Sequence, residues 1–334
     1  MPDAMNALVW RGADMAVTKV PRPGDAAGRA LIDVAYAGIC GTDLHICDGA
    51  HPRARPGLVI GHEFAGWLAE PVDDLEAGTP VTVEPLLWCG RCAACRQGMR
   101  HVCDRLRMIG IDEPGAAAEQ VSVPAELLIP LPAGLDLRHG AFVEPLAVAV
   151  HAVRRSRLRL GEVVAVVGAG PIGLALAICA RLAGASEVLI AETAPARRDL
   201  ARRLGFTVVD AVDLAARRQA GDPTCAVLLD ATGAAPVAAA FAGWVNPGGR
   251  IVLVGVHSVP APVDLQRLTF SEIEVIGARV YLREDLEVAI RLIATGAADP
   301  EPLLTRIVPL SAAAGAIDLL RDGSQIKVLI EVGR

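Results

Sequence analysis

The chain has few aromatic residues and no long basic run. Phenylalanine, tryptophan and tyrosine together make up 3% of its 334 residues, and the formal net charge is −6. A protein that binds nucleic acid needs a basic surface, and one that holds single strands also needs aromatic side chains on which bases stack. The composition therefore argues against a nucleic-acid partner.

The sequence also shows no secretory signal and no uninterrupted apolar segment of membrane length. Its start, "MPDAMNALVW", has no basic residues followed by an apolar run. Residues 163–180 run 18 positions without a charge, but the "GAGPIG" within them suits a strand, a tight turn and a helix better than a membrane span. We therefore expect a cytoplasmic protein without a membrane partner.

Half of the eight cysteines lie in one short stretch, "CGRCAACRQGMRHVC". A chain with 53% hydrophobic residues can bury a large core without disulfides, and clustered cysteines in a reducing compartment more often bind metal. The spacing C-x2-C-x2-C-x7-C lets four thiolates converge on one tetrahedral ion. We interpret Cys89, Cys92, Cys95 and Cys103 as a structural zinc site, with an Fe–S cluster and free thiols as the alternatives.

Three other segments, "GICGTDLHI", "IGHEFAG" and "FVEPLAVAVHA", contain residue types that bind zinc in enzymes. A thiolate, an imidazole and a carboxylate leave a fourth position for water or substrate, as a catalytic zinc site requires. Taken singly, such a cysteine as Cys40 is more often a small buried residue, a histidine such as His62 a core residue, and a glutamate such as Glu144 an exposed or helix-capping carboxylate. The combination favours the metal site. The candidates are Cys40, Thr42, Asp43, His45, His62, Glu63, Glu144 and His151.

A dinucleotide-binding pattern follows these segments. The run "GEVVAVVGAGPIGLALAICARLAGASEVLIAE" predicts a buried strand at Val163–Val167, a glycine turn, a helix through Leu182 and a second strand at Val188–Ala191. Glycines let the backbone approach a pyrophosphate, whose charge the helix N-terminus faces, and a carboxylate after the second strand accepts hydrogen bonds from the ribose. That carboxylate is Glu192, 19 residues after Gly173. A glycine turn in an α/β fold without a nucleotide is the alternative.

The same carboxylate bears on the choice of cofactor. At the end of the second strand, Glu192 would repel a 2′-phosphate, which favours NAD over NADP. Arg197 and Arg198 follow closely and could neutralise a phosphate, or they could be solvated helix residues. Farther along, "CAVLLDATG" and "GRIVLVGVH" predict further strands, Ala234–Trp244 a helix, and Asn246 to Gly249 a turn.

The order of these motifs resembles that of the zinc-dependent medium-chain alcohol dehydrogenase superfamily, over essentially the whole chain. The glutamate in "VEPLAVAVHA" is similar to the sorbitol (polyol) and threonine dehydrogenase branch, because alcohol dehydrogenases proper carry cysteine there. The resemblance implies an α/β fold in which a doubly wound Rossmann sheet accompanies a GroES-like, mostly β catalytic domain.

For this chain the implied domains are a catalytic domain over residues 1–152 with the zinc lobe at 89–103, an NAD-binding domain over 153–281, and a return to the catalytic domain over 282–334. The strand "QIKVLIEV" is consistent with that return. The resemblance also implies a homo-oligomer, either a tetramer or a dimer, and an active site in the cleft between domains.

The resemblance assigns roles to individual residues. Cys40, His62 and Glu144 would bind the catalytic zinc, while Glu63 would either bind it directly or lie beside its ligands. Thr42 and His45 would relay the substrate proton, and Asp43 would orient His62. The implied cofactor contacts are Gly168, Gly170, Pro171, Ile172, Gly173, Glu192 and Arg197.

These roles imply two zinc ions per chain, one catalytic and one structural, and NAD as the cofactor. The expected reaction is oxidation of a polar secondary alcohol, such as a polyol, sugar, cyclitol or amino alcohol, to a ketone by hydride transfer. Arg279, Tyr281 and Arg283 are candidates for the substrate side or for the surface. The alternative is a zincless, quinone-reductase-like or non-catalytic nucleotide-binding member of the superfamily.

Overall fold

The computed structural model describes residues 4–219, 224–321 and 323–333, and the chain divides into two compact units. The first unit contains Met1–Glu144 and Leu282–Arg334, and the second contains Pro145–Tyr281. The boundary after Glu144 lies near the start of a helix, and the family resemblance implied a domain that ends eight residues later, at Ala152.

The strands are mostly short and lie between turns. In chain order they are Ala4–Trp10 (β1), Met15–Pro21 (β2), Arg29–Ile39 (β3), Leu58–Val59 (β4), Glu63–Leu68 (β5), Pro80–Val83 (β6), Leu86–Leu87 (β7), Arg107–Met108 (β8), Gln120–Pro124 (β9), Leu128–Pro130 (β10), Val163–Val167 (β11), Glu187–Ala191 (β12), Thr207–Val209 (β13), Cys225–Asp230 (β14), Val245–Leu253 (β15), Glu274–Gly277 (β16), Leu304–Pro309 (β17) and Lys327–Glu331 (β18).

The longer helices belong mainly to the second unit. In chain order the helices are Gly41–Cys47 (α1), Ala93–Arg96 (α2), Leu137–Gly140 (α3), Val143–Ser156 (α4), Pro171–Leu182 (α5), Pro195–Arg203 (α6), Ala211–Gln219 (α7), Ala235–Ala240 (α8), Leu265–Phe270 (α9), Arg283–Ala294 (α10), Ala313–Ala316 (α11) and Asp318–Arg321 (α12).

The first unit is built mainly from antiparallel strands. A seven-stranded sheet has the order β10-β6-β5-β3-β18-β17, with β9 also paired to β3, and smaller sheets have the order β2-β1-β4 and β7-β8. Only β17 and β18 pair in parallel within the described part of this unit. The long strand β3 alternates between more and less buried residues, so its inward side chains form the core under the sheet.

The second unit contains a six-stranded parallel sheet of order β13-β12-β11-β14-β15-β16. Its central strand β11 reads VVAVV and is almost completely buried, as expected for a parallel strand with both faces covered. Helix α5 follows directly and begins with Pro171, whose fixed φ suits the first helical position. The strand order reverses between β11 and β14, the place where such sheets bind dinucleotides.

The predicted α/β fold with a doubly wound sheet and a mostly β part is confirmed, and two local predictions need correction. The helix expected over Ala234–Trp244 ends at Ala240, and a 3-10 turn follows over Phe241–Gly243. Residues 246–249, where a turn was expected, belong to strand β15. At this place the pairing of β15 with β14 shifts register after Val245, and Gly248 has a positive φ of +70°. The sequence pattern thus found an irregularity but not the strand that continues through it.

Among the described helices, none combines the length and apolar character that a membrane crossing requires. The apolar run at 163–180 instead divides into β11, the glycine turn and α5, as the sequence predicted.

Phe241 tests the core of the second unit. Its side chain is 1% exposed within the cluster that covers the parallel sheet, so Phe241→Ala should lower the free energy of unfolding by about 3–5 kcal/mol. Phe270, which is 79% exposed, supplies the matched control, and Phe270→Ala should change stability by no more than about 0.5 kcal/mol. Chemical denaturation measures both, and equal losses would contradict the assignment of Phe241 to the core.

Candidate zinc and nucleotide sites

The end of β3 brings together side chains that are far apart in the sequence. Gly38 pairs with Glu63 of β5 on one side and with Leu329 of β18 on the other. Glu63 is the first residue of β5 and Lys327 is the first residue of β18, so both flank the end of β3. A Cβ atom at Gly38 would collide with Oε2 of Glu63. Glycine at this position therefore leaves the space that the carboxylate occupies.

Cys40, His62 and Glu63 form a compact set of ligand-type side chains. One donor atom from each lies within 4.8 Å of the other two. His62 and Glu63 are buried, and Cys40 is half-buried where β3 ends and α1 begins. Thiolate, imidazole and carboxylate are all zinc ligands, so the chemistry of this donor set fits a zinc ion.

Glu144, the carboxylate expected among the ligands, lies outside this set of close donor atoms. It is buried in the first turn of α4, and its charge still acts on the set. Burial alone would lower the pKa of His62, but the negative charges of Cys40, Asp43 and Glu144 raise it well above its usual value. The site therefore carries an excess of negative charge, which suits a divalent cation.

Asp43 does not make the hydrogen bond to His62 that the family resemblance implied. Its Oδ2 accepts a hydrogen bond from the backbone N–H of Cys40 at 2.8 Å, which caps α1. Its Oδ1 and Nδ1 of His62 are both buried without a hydrogen-bond partner among the described residues. The carboxylate therefore acts on His62 through its charge, and the capping bond accounts for its orientation.

The two residues expected to relay a proton lie on the same short helix. Oγ1 of Thr42 lies 3.7 Å from Sγ of Cys40, so its hydroxyl is next to the donor set. His45 is exposed farther along α1. The helix thus carries one polar group beside the donor atoms and another facing solvent.

Lys327 belongs to this site and was not identified from the sequence. Its Nζ lies 2.6 and 2.8 Å from the two carboxylate oxygens of Glu63 and 3.2 Å from the carbonyl oxygen of Ile39. Burial would lower the pKa of Lys327, but the charges of Glu63 and Cys40 outweigh it and raise that pKa. The available signal was a lysine directly before the apolar residues of the strand "KVLIE", where a charge stays buried only if it is paired.

The four clustered cysteines also lie together. Their Sγ atoms are within 4.8 Å of one another, and Sγ of Cys92 is 3.8 Å from Sγ of Cys103. The backbone N–H groups of Arg91 and Cys92 lower the pKa of the Cys89 thiol to about 6. Backbone N–H groups also lower the pKa of Cys92, whereas burial raises the pKa of the Cys95 thiol to about 12. Four convergent sulfurs fit a closed tetrahedral zinc site, the chemistry expected from the spacing.

In the second unit the glycine turn joins β11 to α5. Gly168 has φ +92°, and a Cβ atom at Gly173 would collide with the carbonyl oxygen of Gly168, so the turn closes only with glycine at both positions. Gly170 caps α5, and Pro171 and Ile172 begin its first turn. The free N–H groups of this helix start are those that bind a phosphate.

Glu192 lies directly after β12 and contacts this turn. Its Oε2 accepts a hydrogen bond from the N–H of Ala169 at 2.7 Å, and its Oε1 accepts from the N–H groups of Thr193 and Ala194. Burial alone would raise the pKa of Glu192, but these hydrogen bonds and the charge of Arg197 lower it below its usual value. The carboxylate is therefore ionised and fixed beside the glycine turn.

The two arginines on α6 have different environments. Nη1 of Arg198 donates to the carbonyl oxygen of Glu192 at 2.7 Å and to Oδ1 of Asp210 at 2.6 Å, so Arg198 holds the chain in place. Nη1 of Arg197 lies 3.8 Å from an ideal Cβ position at Gly170, and its Nε is buried without a partner among the described residues. Arg197 is thus the arginine next to the turn.

The three substrate-side candidates have different environments. The side chain of Tyr281 is completely buried, and that of Arg279 is exposed. Arg283 donates to the carbonyl oxygens of Glu126 and Leu128 at 3.0 and 2.6 Å. Arg283 thus connects the start of α10 to the chain at Glu126 and Leu128, which is a structural role within the first unit.

Comparison with known proteins connects both units to one family. The family model of the alcohol dehydrogenase GroES-like domain matches residues 26–133, and that of zinc-binding dehydrogenases matches residues 171–295. The 2-dehydro-3-deoxy-L-galactonate 5-dehydrogenase of Pseudoalteromonas atlantica is 41% identical over 91% of this chain and 92% of its own. The L-galactonate-5-dehydrogenase of Escherichia coli is 34% identical over 97% of this chain and 95% of its own.

A solved structure shows the same similarity. The crystal structure of a Sinorhizobium meliloti protein bound to NADP is 31% identical, with a TM-score of 0.93 over 99% of this chain and 100% of that one. The resemblance stated from the motifs is therefore confirmed. The chain belongs to the zinc-dependent medium-chain dehydrogenase family, and it is an oxidoreductase.

Proposed function

We propose that this enzyme oxidises a polar secondary alcohol to a ketone, with NAD as hydride acceptor and a catalytic zinc ion held by the first unit. The observation that carries the proposal is the convergence of half-buried Cys40 with buried His62 and Glu63, with Thr42 beside the cysteine. The zincless alternative requires such a set to be missing. Sugar acids are the first substrates to test, since two relatives are named for oxidation of galactonates.

The residues of the first unit have two proposed roles, which are to bind the metal and to carry the substrate proton away. Cys40, His62 and Glu144 are the proposed zinc ligands, and Glu63, which belongs to the observed donor set, would either bind the ion directly or lie beside its ligands. When bound, zinc supplies the Lewis acidity that makes an alcohol hydroxyl easier to deprotonate, and NAD takes up the hydride. The hydroxyl of Thr42 would accept the alcohol proton, and its distance of 3.7 Å from Sγ of Cys40 supports this role. His45, exposed on the same helix, would pass that proton to solvent.

The four-cysteine cluster is the proposed site of a second, structural zinc ion. Cys89, Cys92, Cys95 and Cys103 supply four sulfur ligands and leave no position for substrate. Such an ion would stabilise a lobe in which most residues are exposed and which therefore has little apolar core of its own.

The second unit is the proposed NAD-binding domain, and the first unit the catalytic domain. The glycine turn at Gly168, Gly170 and Gly173, with Pro171 and Ile172, would take the pyrophosphate, and Glu192 would accept hydrogen bonds from the adenosine ribose. Arg197 would lie beside that ribose. By family resemblance we also propose a homo-oligomer, either a tetramer or a dimer.

A substrate panel tests the proposed reaction. The zinc-loaded enzyme is incubated with NAD and with sugar acids, polyols, cyclitols or amino alcohols, and the appearance of NADH is followed by absorbance. At least one polar secondary alcohol should be oxidised far faster than a simple primary alcohol. No turnover with any member of the panel would contradict the proposal.

His62→Ala tests the catalytic site. Because a site with three protein ligands loses affinity and geometry when its imidazole is removed, alcohol oxidation should fall by at least about a hundredfold. Zinc per chain should fall from two toward one, while NADH binding, measured by fluorescence, should persist. His139→Ala is the matched control, because His139 pairs with Glu301 away from the donor set. Near wild-type turnover in His62→Ala would refute the assignment.

Cys95→Ser tests the structural site. Loss of one sulfur ligand should release the ion, and the midpoint of thermal unfolding should fall by about 2–4 °C for each kcal/mol of stability lost. NADH affinity in the folded fraction should be retained. Cys47→Ser is the control, since Cys47 belongs to neither donor set. An unchanged zinc content, measured by elemental analysis, would show that the lobe does not hold zinc.

Glu192→Ala tests the choice of cofactor. Removal of a fixed, ionised carboxylate should weaken NAD binding by about tenfold, the value of one charge-assisted hydrogen bond, and should raise the ratio of NADP to NAD use. Glu187→Ala, at the other end of β12, is the control. The measurement is the ratio of kcat/KM with NADP to kcat/KM with NAD. If this ratio is the same in Glu192→Ala as in the wild type, Glu192 is not the residue that discriminates between the cofactors.

A further inference from the structure

His51 lies in the loop that follows α1, and its backbone is held against that helix. The N–H groups of Ala50 and His51 both donate to the carbonyl oxygen of His45, at 2.9 and 3.2 Å. His45 is the residue that we propose to pass the substrate proton to solvent. The loop therefore places a second histidine next to the proposed proton path.

Arg53 holds the same loop from its other end. Its Nη1 donates to the carbonyl oxygen of Leu106 at 2.5 Å, and its Nη2 lies 3.2 Å from Oδ2 of Asp112. These contacts join the loop to a segment about fifty positions away, so the position of His51 does not depend on the loop alone. A side chain that is held in advance loses little conformational entropy when a ligand binds.

Two local hydrogen bonds determine which ring nitrogen of His51 carries a proton. Nδ1 accepts from the backbone N–H groups of Arg53 and Ala54, at 3.4 and 3.3 Å. A ring nitrogen that accepts carries no proton, so the proton of the neutral imidazole is on Nε2. His51 is half-buried, and its Nε2 has no hydrogen-bond partner in the part of the chain that the structure describes. The ring therefore offers one free N–H group.

The surroundings of His51 keep the ring uncharged. Burial lowers its pKa, and the positive charges of Arg53, His45 and His62 lower it further, against the opposing charge of Asp112. A proton on Nδ1 would also break both of the local hydrogen bonds. Because the charges of His45 and His62 act on the ring, it lies within electrostatic reach of α1 and of a proposed metal ligand. His51 is thus a neutral donor close to the proposed site of the reaction.

We propose that the free Nε2–H of His51 binds a second oxygen atom of the substrate, a hydroxyl or a carboxylate oxygen near the alcohol that is oxidised. This inference rests on the proposed function, since it needs the alcohol at the metal. A substrate without a second oxygen displaces water from the N–H group and leaves it unpaired, which weakens its binding. His51 is therefore a specificity-determining residue and takes no part in the transfer of the proton or the hydride.

Three small alcohols with the same reacting group provide the test. They are 2-butanol, 2,3-butanediol, which adds a neighbouring hydroxyl, and 3-hydroxybutanoate, which adds a carboxylate. With zinc and NAD, the wild type should oxidise at least one of the last two with a kcat/KM about tenfold above that for 2-butanol, the value of one hydrogen bond. The compound that gains shows which kind of oxygen the N–H group binds.

His51→Asn separates binding of substrate from the structural role of the ring. The side-chain oxygen of asparagine can accept the same two backbone N–H groups, but asparagine has no atom at the position of Nε2. The selectivity, which is the ratio of kcat/KM for the preferred compound to that for 2-butanol, should fall about tenfold, mainly through KM. The midpoint of thermal unfolding should stay within about 2 °C of the wild type.

Two further variants complete the comparison. His51→Gln places an amide N–H near the position of Nε2 and should restore most of the selectivity. His139→Asn is the matched control, because His139 pairs with Glu301 away from the loop, and it should keep the wild-type ratio. If His51→Asn does not fold, His51→Gln decides the question, since retained selectivity supports the proposal and lost selectivity overturns it.

Two other results would also overturn the proposal. One is a wild-type enzyme that oxidises neither 2,3-butanediol nor 3-hydroxybutanoate better than 2-butanol. The other is a folded His51→Asn enzyme with the wild-type selectivity, because the ring would then only hold the loop. The broader substrate panel keeps these outcomes apart from the proposed function. NADH formed from any polar secondary alcohol of that panel upholds the function when the inference fails, and no NADH from any of them removes both.

Discussion

Buried negative charge is the constraint on which the first unit's site depends. Asp43, Glu63 and Glu144 are all buried near Cys40, and such groups are costly unless a cation accompanies them. Lys327 neutralises one of them, and the others act on His62 through their charge. What remains is an excess of negative charge around a set of zinc-type donors, and a divalent cation would remove it. In the proposed function, the groups that attract the metal would also be the groups that hold it.

Sheet register, rather than sequence proximity, assembles these charges. Cys40 follows β3, His62 and Glu63 lie at the start of β5, and Lys327 begins β18. Because β3 is the strand between β5 and β18, the registers of its two pairings align these residues, and a slip of one residue in either would turn side chains to the other face. The C-terminal strand β18, which lies between β3 and β17, therefore contributes a side chain to the site as well as pairing within the sheet.

The parts that the sequence predicted well are local. The four cysteines lie within one turn-rich lobe and the glycine turn lies between adjacent elements, so spacing alone carries their geometry. Lys327 could not be found this way, because its contact with Glu63 spans 264 positions and depends on a strand pairing that no motif encodes. At Asp43 the structure shows a local bond that the resemblance did not supply. Oδ2 accepts a hydrogen bond from the N–H of Cys40 at the start of α1, while Oδ1 of Asp43 and Nδ1 of His62 have no hydrogen-bond partner among the described residues.

Glu63 and Glu192 are both held by hydrogen-bond donors, but the kind of donor decides whether the carboxylate still presents a negative charge to a ligand. Glu63 is neutralised by a full positive charge, so it is stable in the interior but presents little net charge to a ligand. Glu192 is stabilised mainly by the backbone N–H groups of Ala169, Thr193 and Ala194, which are dipoles and leave its unit charge in place. A carboxylate stabilised by backbone N–H groups, such as Glu192, can still repel a phosphate, whereas one paired with an ammonium group, such as Glu63, cannot. The discrimination between NAD and NADP that we propose for Glu192 follows from that difference.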